Sequence, residues 1–241
     1  MDEIEKVNTI TLSILEEAPM YHRWIVERIK PYLGDPVLEV GCGTGNLTGL
    51  LLQQGEIVAT DFNPSYLETV ARKFGRHPHL KGVFRWDIRL PPPAEMRGKF
   101  RSVVCSNVLE HVEEDDKALA GLRSLLRPGG RLVLLVPALK WLYNPLDHEL
   151  GHLRRYNKKE VEDLLLGQGF RICQITFFNF FGVLGWFVNG TVLRRRLLPL
   201  KQVRAFNKLV PALMKMERFL PRVMGQSLIA IGEKDQAEGS H

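Results

Sequence analysis

The run Val37-Leu38-Glu39-Val40-Gly41-Cys42-Gly43-Thr44-Gly45 limits the fold of this chain more than any other segment. Four residues of strand character end on three alternate glycines, and helix-compatible sequence begins directly after them. Glycine tolerates positive φ and lets the backbone approach a ligand with no Cβ in the way. The helix beyond offers unpaired N–H groups and the positive end of its dipole. Such a turn belongs to a βα unit, and the chain repeats the theme. β-branched runs recur at Glu56–Asp61, Gly82–Ile88, Arg101–Asn107 and Arg131–Pro137, the texture of strands buried on both faces. Helical spacing lies between them at 45–54, at 64–74 behind Asn63-Pro64, and at 114–127, closed by Pro128-Gly129-Gly130. Strand alternating with helix predicts a parallel sheet with right-handed crossovers.

Ahead of the first strand, Ile4, Val7, Ile10 and Ile14, then Trp24, Ile25, Ile29 and Leu33, carry a helical period that Pro19 divides in two. After Pro137 the alternation pauses in a polar and aromatic loop, 138–157. A helix over 158–168 and a strand from Phe170 to Phe178 follow. A basic stretch, predicted as two or three helices broken near Pro199 and Pro211, precedes a last strand, QSLIAIGEK.

With 241 residues, 45% of them hydrophobic, the chain can bury a sizeable core and is globular rather than disordered. Cys42, Cys105 and Cys173 form no C-x-x-C pair, so neither a zinc nor a disulfide framework is indicated, which fits a reducing cytosol. The opening MDEIEKVNTI lacks the basic and apolar regions of a secretory leader.

The glycine turn discriminates between ligands. A dinucleotide asks for G-x-G-x-x-G; here the spacing is G-x-G-x-G, and Asn46 stands where the last glycine would be. Glu39 ahead of the turn would repel a pyrophosphate. It suits a ligand with an ammonium group and no phosphate, and S-adenosylmethionine carries both an ammonium and a sulfonium. Asp61, at the end of the second strand, can accept from both ribose hydroxyls. Asp87, ending the third, can meet the adenine amino edge together with the backbone of Ile88. A turn or cap role is the alternative for Asp61, and a solvated loop acid for Asp87.

Leu38–Gly45, Asp61, Trp86-Asp87-Ile88, Ser106-Asn107-Val108-Leu109-Glu110-His111-Val112 and Leu126-Arg127-Pro128-Gly129-Gly130 resemble, in order and spacing, the successive motifs of class I S-adenosylmethionine-dependent methyltransferases. The resemblance spans about residues 36–137. It implies a Rossmann-like, doubly wound α/β sheet of seven strands in the order 3-2-1-4-5-7-6, the seventh antiparallel. It further implies that Glu39, Gly41, Gly43, Gly45, Asp61, Asp87, Ile88 and Asn107 line the cofactor, with Cys42 and Phe62 beside them, and that S-adenosylhomocysteine is the product. Tyr21-His22-Arg23-Trp24 looks like the family's lid helix; Arg23 would pair with the cofactor carboxylate unless it is a plain exposed helical arginine. The expected divisions are lid helices at 1–34, the cofactor domain at 35–179 and 225–234, a helical insertion at 180–224, and a tail at 235–241, disordered or a cloning remnant.

Methyl transfer from a sulfonium needs nucleophile, methyl and sulfur in line, and a base where the acceptor carries a proton. In this topology Asn107, Glu110 and His111 lie near the methyl, with His111 a candidate base or a structural histidine. Ser106–Val112 also resembles the ubiquinone-pathway O-methyltransferases, which carry a Glu where Asn107 stands and use it with the Glu-His pair on a metal. Glu110 and His111 alone are too few for an octahedral, oxygen-rich site, so no metal is expected. Tyr143–Tyr156 packs two His, two Arg, two Tyr and an Asp into 14 residues, as functional loops do. Its Gly151–Tyr156 stretch resembles a Gly-His-x-Arg-Arg-Tyr region of bacterial methyltransferases encoded beside glycosyltransferases. Catalytic candidates are therefore His111, His148, His152 and Tyr156. Tyr143, Arg154 and Arg155 are substrate-binding candidates, the arginines suiting a phosphate or carboxylate.

The net charge of +6 is concentrated. Between Phe180 and Arg222 stand nine basic residues and one acid, Glu217, giving +8 there and −2 elsewhere. Ile172–Leu193 is uncharged over 22 residues, but its first part is needed as a strand and the remainder is short for a span. Three readings stay open for 180–222: an interfacial element touching a membrane or lipid-linked acceptor, a lid or oligomer interface, or a nucleic-acid contact that no recognisable binding motif supports. The expectation is a cytoplasmic enzyme, with or without peripheral attachment to the inner membrane face, monomeric or homodimeric. It would methylate a small or lipid-linked acceptor such as a saccharide or quinone-like molecule, preferably at oxygen. The alternatives are a non-catalytic binding protein on the same fold and a NAD-dependent oxidoreductase.

Overall fold

Seven strands alternate apolar side chains between two helical layers. The computed structural model describes residues 3–220 and 222–236. The strands are β1 (Val37–Val40), β2 (Ile57–Asp61), β3 (Leu80–Arg85), β4 (Phe100–Ser106), β5 (Leu126–Pro137), β6 (Phe170–Phe178) and β7 (Ser227–Lys234). They form one sheet in the order β3-β2-β1-β4-β5-β7-β6. β7 runs antiparallel to both β5 and β6, and the remaining pairings are parallel. The expected sheet is thus the observed one.

Strand periodicity explains why these runs are apolar throughout. Leu38, Val40, Val103, Cys105, Leu132 and Leu134 face one core, under α5 (Asp115–Leu125) and α7 (Lys158–Gly167). Val37, Val104, Val133 and Leu135 face the other, under α2 (Pro19–Ile29) and α9 (Leu200–Glu217). α4 (Pro64–Phe74) covers β2, and its Asn63 cap accepts from Ser65 N. The predicted helix 45–54 shortens to α3 (Thr48–Leu51); Gly45 at φ 85° holds the preceding turn out of helical conformation.

The basic segment joins the core instead of standing apart from it. Phe180–Trp186 forms α8, a π-turn follows at Phe187–Val192, and α9 then runs through Pro211 without breaking. Tertiary contacts hold α9 there. Val210 is fully buried with Trp24 and Phe178, and Asn207 Oδ1 accepts from Met20 N at 2.8 Å. Such packing outweighs the hydrogen bond lost at an internal proline. No helix among the described residues is long and apolar enough to cross a membrane. Of the tail expected at 235–241, residues 237–241 lie outside the described residues.

Candidate active site

β1 carries Glu39 into the interior near its carboxyl end, where the Thr48 hydroxyl donates to Oε2 at 2.6 Å. Burial outweighs that bond and raises the Glu39 pKa to about 8. The turn beyond passes through left-handed conformations at Gly41, Gly43 and Gly45. At Gly41 a Cβ would stand 2.2 Å from Val108 Cγ2, so the glycine turn and the turn after β4 are in direct contact.

Asp61 ends β2 in a buried position, its Oδ2 accepting from Gly43 N and its Oδ1 from Asn63 N, each at 2.9 Å. These bonds tie the glycine turn to the start of α4 and leave each oxygen a further lone pair. Burial still raises the Asp61 pKa. Asp87 is half-buried, and Arg89 grips it, Nε donating to Oδ1 at 2.9 Å and Nη2 to Oδ2 at 2.6 Å. The guanidinium holds its pKa below the usual carboxylate range. Ile88 is buried beside it, and Phe62 and Asn107 are exposed, Asn107 at φ 53°. Cys42 turns its thiol into the core among Ala59, Leu67 and Val70, so any contribution to a ligand comes from its backbone. Arg23 lies exposed on α2.

The cleft is covered by part of the segment 1–34, expected as lid helices. α1 (Glu3–Glu16) lies across it. Leu12 sits over Gly43, Asn46 Nδ2 donates to Leu12 O at 3.0 Å, and Asn63 Nδ2 donates to Glu5 at 2.7 Å. The helical period of Ile4, Val7, Ile10 and Ile14 marks a helix but does not say where it docks.

The 138–157 segment forms a second centre. It contains α6 (Pro145–Glu149) and packs Leu142 and Leu146 against Val183 and Trp186 of α8. Its hub is Asp147, fully buried and absent from the sequence-based candidates. Asp147 accepts from His152 Nδ1 at 2.9 Å, Arg155 Nε at 2.8 Å, Trp186 Nε1 at 3.0 Å and Asn144 N at 3.1 Å. Burial works to raise its pKa, but the bonds from His152 and Arg155 prevail and hold it low. Arg155 is buried as well, donating to Ala138 O and stacking over Trp186. Tyr156 is buried with its hydroxyl 3.0 Å from Asp115 Oδ2, which also accepts from Arg154 at 2.9 Å. Arg154, Arg155 and Tyr156 thus hold the segment to the fold. Tyr143 and His148 are exposed and, with Glu149, Arg194 and Arg196, line an open depression of about 560 Å³.

Between the two centres lie Glu110 and His111, on the short turn 109–111 after β4. His152 comes to them from the far segment, its ring centroid 4.9 Å from that of His111. Its Nε2 stands 3.9 Å from Glu110 Oε1. Burial raises the Glu110 pKa to about 7, and burial with the neighbouring His152 lowers that of His111 to about 4. His111 is therefore neutral at pH 7 and a weak base.

Comparison with known proteins agrees with this geometry. A family profile described as a methyltransferase domain matches residues 38–132. The ubiquinone biosynthesis O-methyltransferase of Xanthomonas axonopodis pv. citri is 32% identical over 117 residues, 48% of each chain. An uncharacterized protein of Synechococcus sp. is 35% identical over 142 residues, 57% of this chain and 32% of that one. The chain thus spans about half or less of these relatives' length. A putative methyltransferase from Bacillus halodurans superposes with a TM-score of 0.61 at 18% identity, covering 88% of this chain and 98% of that one. A [4+2]-cyclase superposes with 0.60 at 18%, covering 91% and 82%, so the architecture alone does not fix a reaction. Residues 38–132 thus match a methyltransferase domain, and the sheet order is that of the class I, S-adenosylmethionine-dependent methyltransferase fold.

Proposed function

We propose that this protein binds S-adenosylmethionine across the carboxyl ends of β1, β2 and β3 and transfers its methyl group to an acceptor hydroxyl. The observation that carries the reading is the cradle itself: a buried Glu39 with no cationic partner among the described residues, three left-handed glycines and Asp61 on one edge. Glu39 would take the ammonium, the ribose hydroxyls would donate to Asp61, and Asp87 with Ile88 would meet the adenine. The buried Glu39 carboxylate beside the turn would repel a pyrophosphate, which disfavours a dinucleotide.

In the reaction the acceptor oxygen forms a bond to the methyl carbon as the carbon–sulfur bond breaks. Bound S-adenosylmethionine would supply the methyl, the carbon–sulfur pair staying on sulfur, and the acceptor proton would pass to water. The chain contributes chiefly alignment. Val108 against Gly41 puts the 107–111 turn beside the cofactor turn, so an acceptor near Asn107 and the Glu110–His111–His152 group would face the methyl. The O-methyltransferase relatives support oxygen as the acceptor atom.

A lipid-linked acceptor fits the outer surface. Leu184, Phe187, Val188, Val192 and Leu193 are exposed beside Arg194, Arg195 and Arg196, and the Trp141 ring lies 6.3 Å from that of Phe187. Apolar insertion with about 1 kcal/mol per basic residue would hold this face on an anionic bilayer. The test is S-adenosylhomocysteine release over a panel of quinol, phenolic and lipid-linked saccharide acceptors. Cofactor binding without turnover on every acceptor would favour the non-catalytic alternative.

A further inference from the structure

Glu110 is fully buried, and neither of its carboxylate oxygens has a hydrogen-bond partner. A buried carboxylate left so is costly, and two imidazoles, those of His111 and His152, stand beside it. His111 holds Nδ1 3.1 Å from Gly151 O, an acceptor only, so Nδ1 carries the proton and Nε2 presents a lone pair. His152 holds Nδ1 2.9 Å from Asp147 Oδ1 and likewise presents Nε2, toward Glu110. Each ring is thus fixed by its Nδ1–H on a carbonyl or carboxylate, which is how metal-ligating histidines are oriented. Ligand atoms of Glu110, His111 and His152 lie within 4.8 Å of one another. Donors about 2.1 Å from a common ion stand roughly 3–3.5 Å apart, so the three need draw in by no more than about 1.5 Å.

We infer that Glu110, His111 and His152 form a binding site for one divalent first-row transition ion, with coordination positions left open. Two imidazoles and one carboxylate suit zinc, manganese, cobalt or iron(II) better than magnesium or calcium, which ask for more oxygen ligands. The sequence-based expectation of no metal counted only ligands adjacent in the chain. Asn107, in the position of the relatives' Glu, is exposed with its amide near Ser106 Oγ, and the third ligand comes instead from 41 residues downstream, positioned by Asp147. When bound, such an ion supplies Lewis acidity beside an acceptor oxygen.

Metal binding stands independently of methyl transfer, so the test uses no acceptor. Metal-stripped full-length protein is titrated calorimetrically with Zn²⁺ and, separately, with Co²⁺ while visible d–d absorption is recorded. One ion per chain is expected, with a raised unfolding temperature and Co²⁺ bands of low-symmetry N/O coordination. His152→Gln and Glu110→Gln should each weaken binding at least about tenfold. The pair His77 and His79, whose rings are 5.4 Å apart, could hold zinc on its own, so His77→Ala/His79→Ala serves as control and should leave the affinity unchanged. Absence of binding and of Co²⁺ bands in the folded parent protein would overturn the site. So would affinity that follows the His77/His79 control, or that persists in both Gln variants with their metal-free thermal transitions intact.

Discussion

The cofactor cradle and the 138–157 segment do comparable work at adjacent places, yet they are built in opposite ways. The cradle is made of backbone: a strand, three left-handed glycines and two strand-end acids, all set by local sequence. The segment is made of side chains from distant places, with Asp147 joining His152, Arg155 and Trp186 across 39 residues. A backbone site tolerates change around it but not at its glycines. A side-chain site hangs on its hub.

Substitutions should separate the two. Asp147→Ala is expected to have the largest effect on stability, about 3–5 kcal/mol, because it strands the buried Arg155 guanidinium. Chemical denaturation measures it, and cofactor affinity of the folded fraction should be unchanged. A parallel loss of cofactor affinity would show that the two centres are one. Gly41→Ala should cost about 1–2 kcal/mol for the left-handed backbone, plus the clash with Val108. Here affinity should fall with stability, which calorimetry and thermal unfolding report together.

Glu39 sharpens the contrast through pH. Its folded pKa, about 8, lies above the ordinary carboxylate value of 4.5. The ligand-free protein therefore keeps this group's contribution to stability below pH 4.5 and loses it progressively as pH rises toward 8. Glu39→Gln should flatten that decline. Cofactor binding near pH 7 should release a proton from Glu39, seen as heats that vary with the buffer's ionisation enthalpy; no proton release would remove Glu39 as the ammonium's partner. The smallest effect expected is that of Thr48→Val. Losing the hydroxyl bond to Glu39 should change cofactor affinity by about 1 kcal/mol, less than tenfold.

The same contrast explains what could be read from the sequence. The glycine turn and the positions of Glu39, Asp61 and Asp87 follow from local patterns, and the sheet order from the resemblance of the motifs to those of class I methyltransferases. That Arg89 occupies Asp87 could not be read, because a charged neighbour two residues away is as often solvated as paired. Tyr143–Tyr156 stood out by composition, but which members face outward depends on packing against Trp186 and Asp115, far off in the chain. His111 and His152 likewise meet only once β5 and the following segment have folded. Pro211 misled for a related reason: its local tendency to break a helix was overridden by Val210 and Asn207 against α2.

The central claim is that a sulfonium nucleoside, or its demethylated product, lies on Glu39 and Asp61. Calorimetric titration of S-adenosylhomocysteine into the parent protein and a folded Asp61→Ala variant tests it most directly. The account predicts one site per chain with a Kd on the order of micromolar, weakened at least about tenfold by Asp61→Ala. No binding to the parent protein, or equal affinity in both, would contradict it.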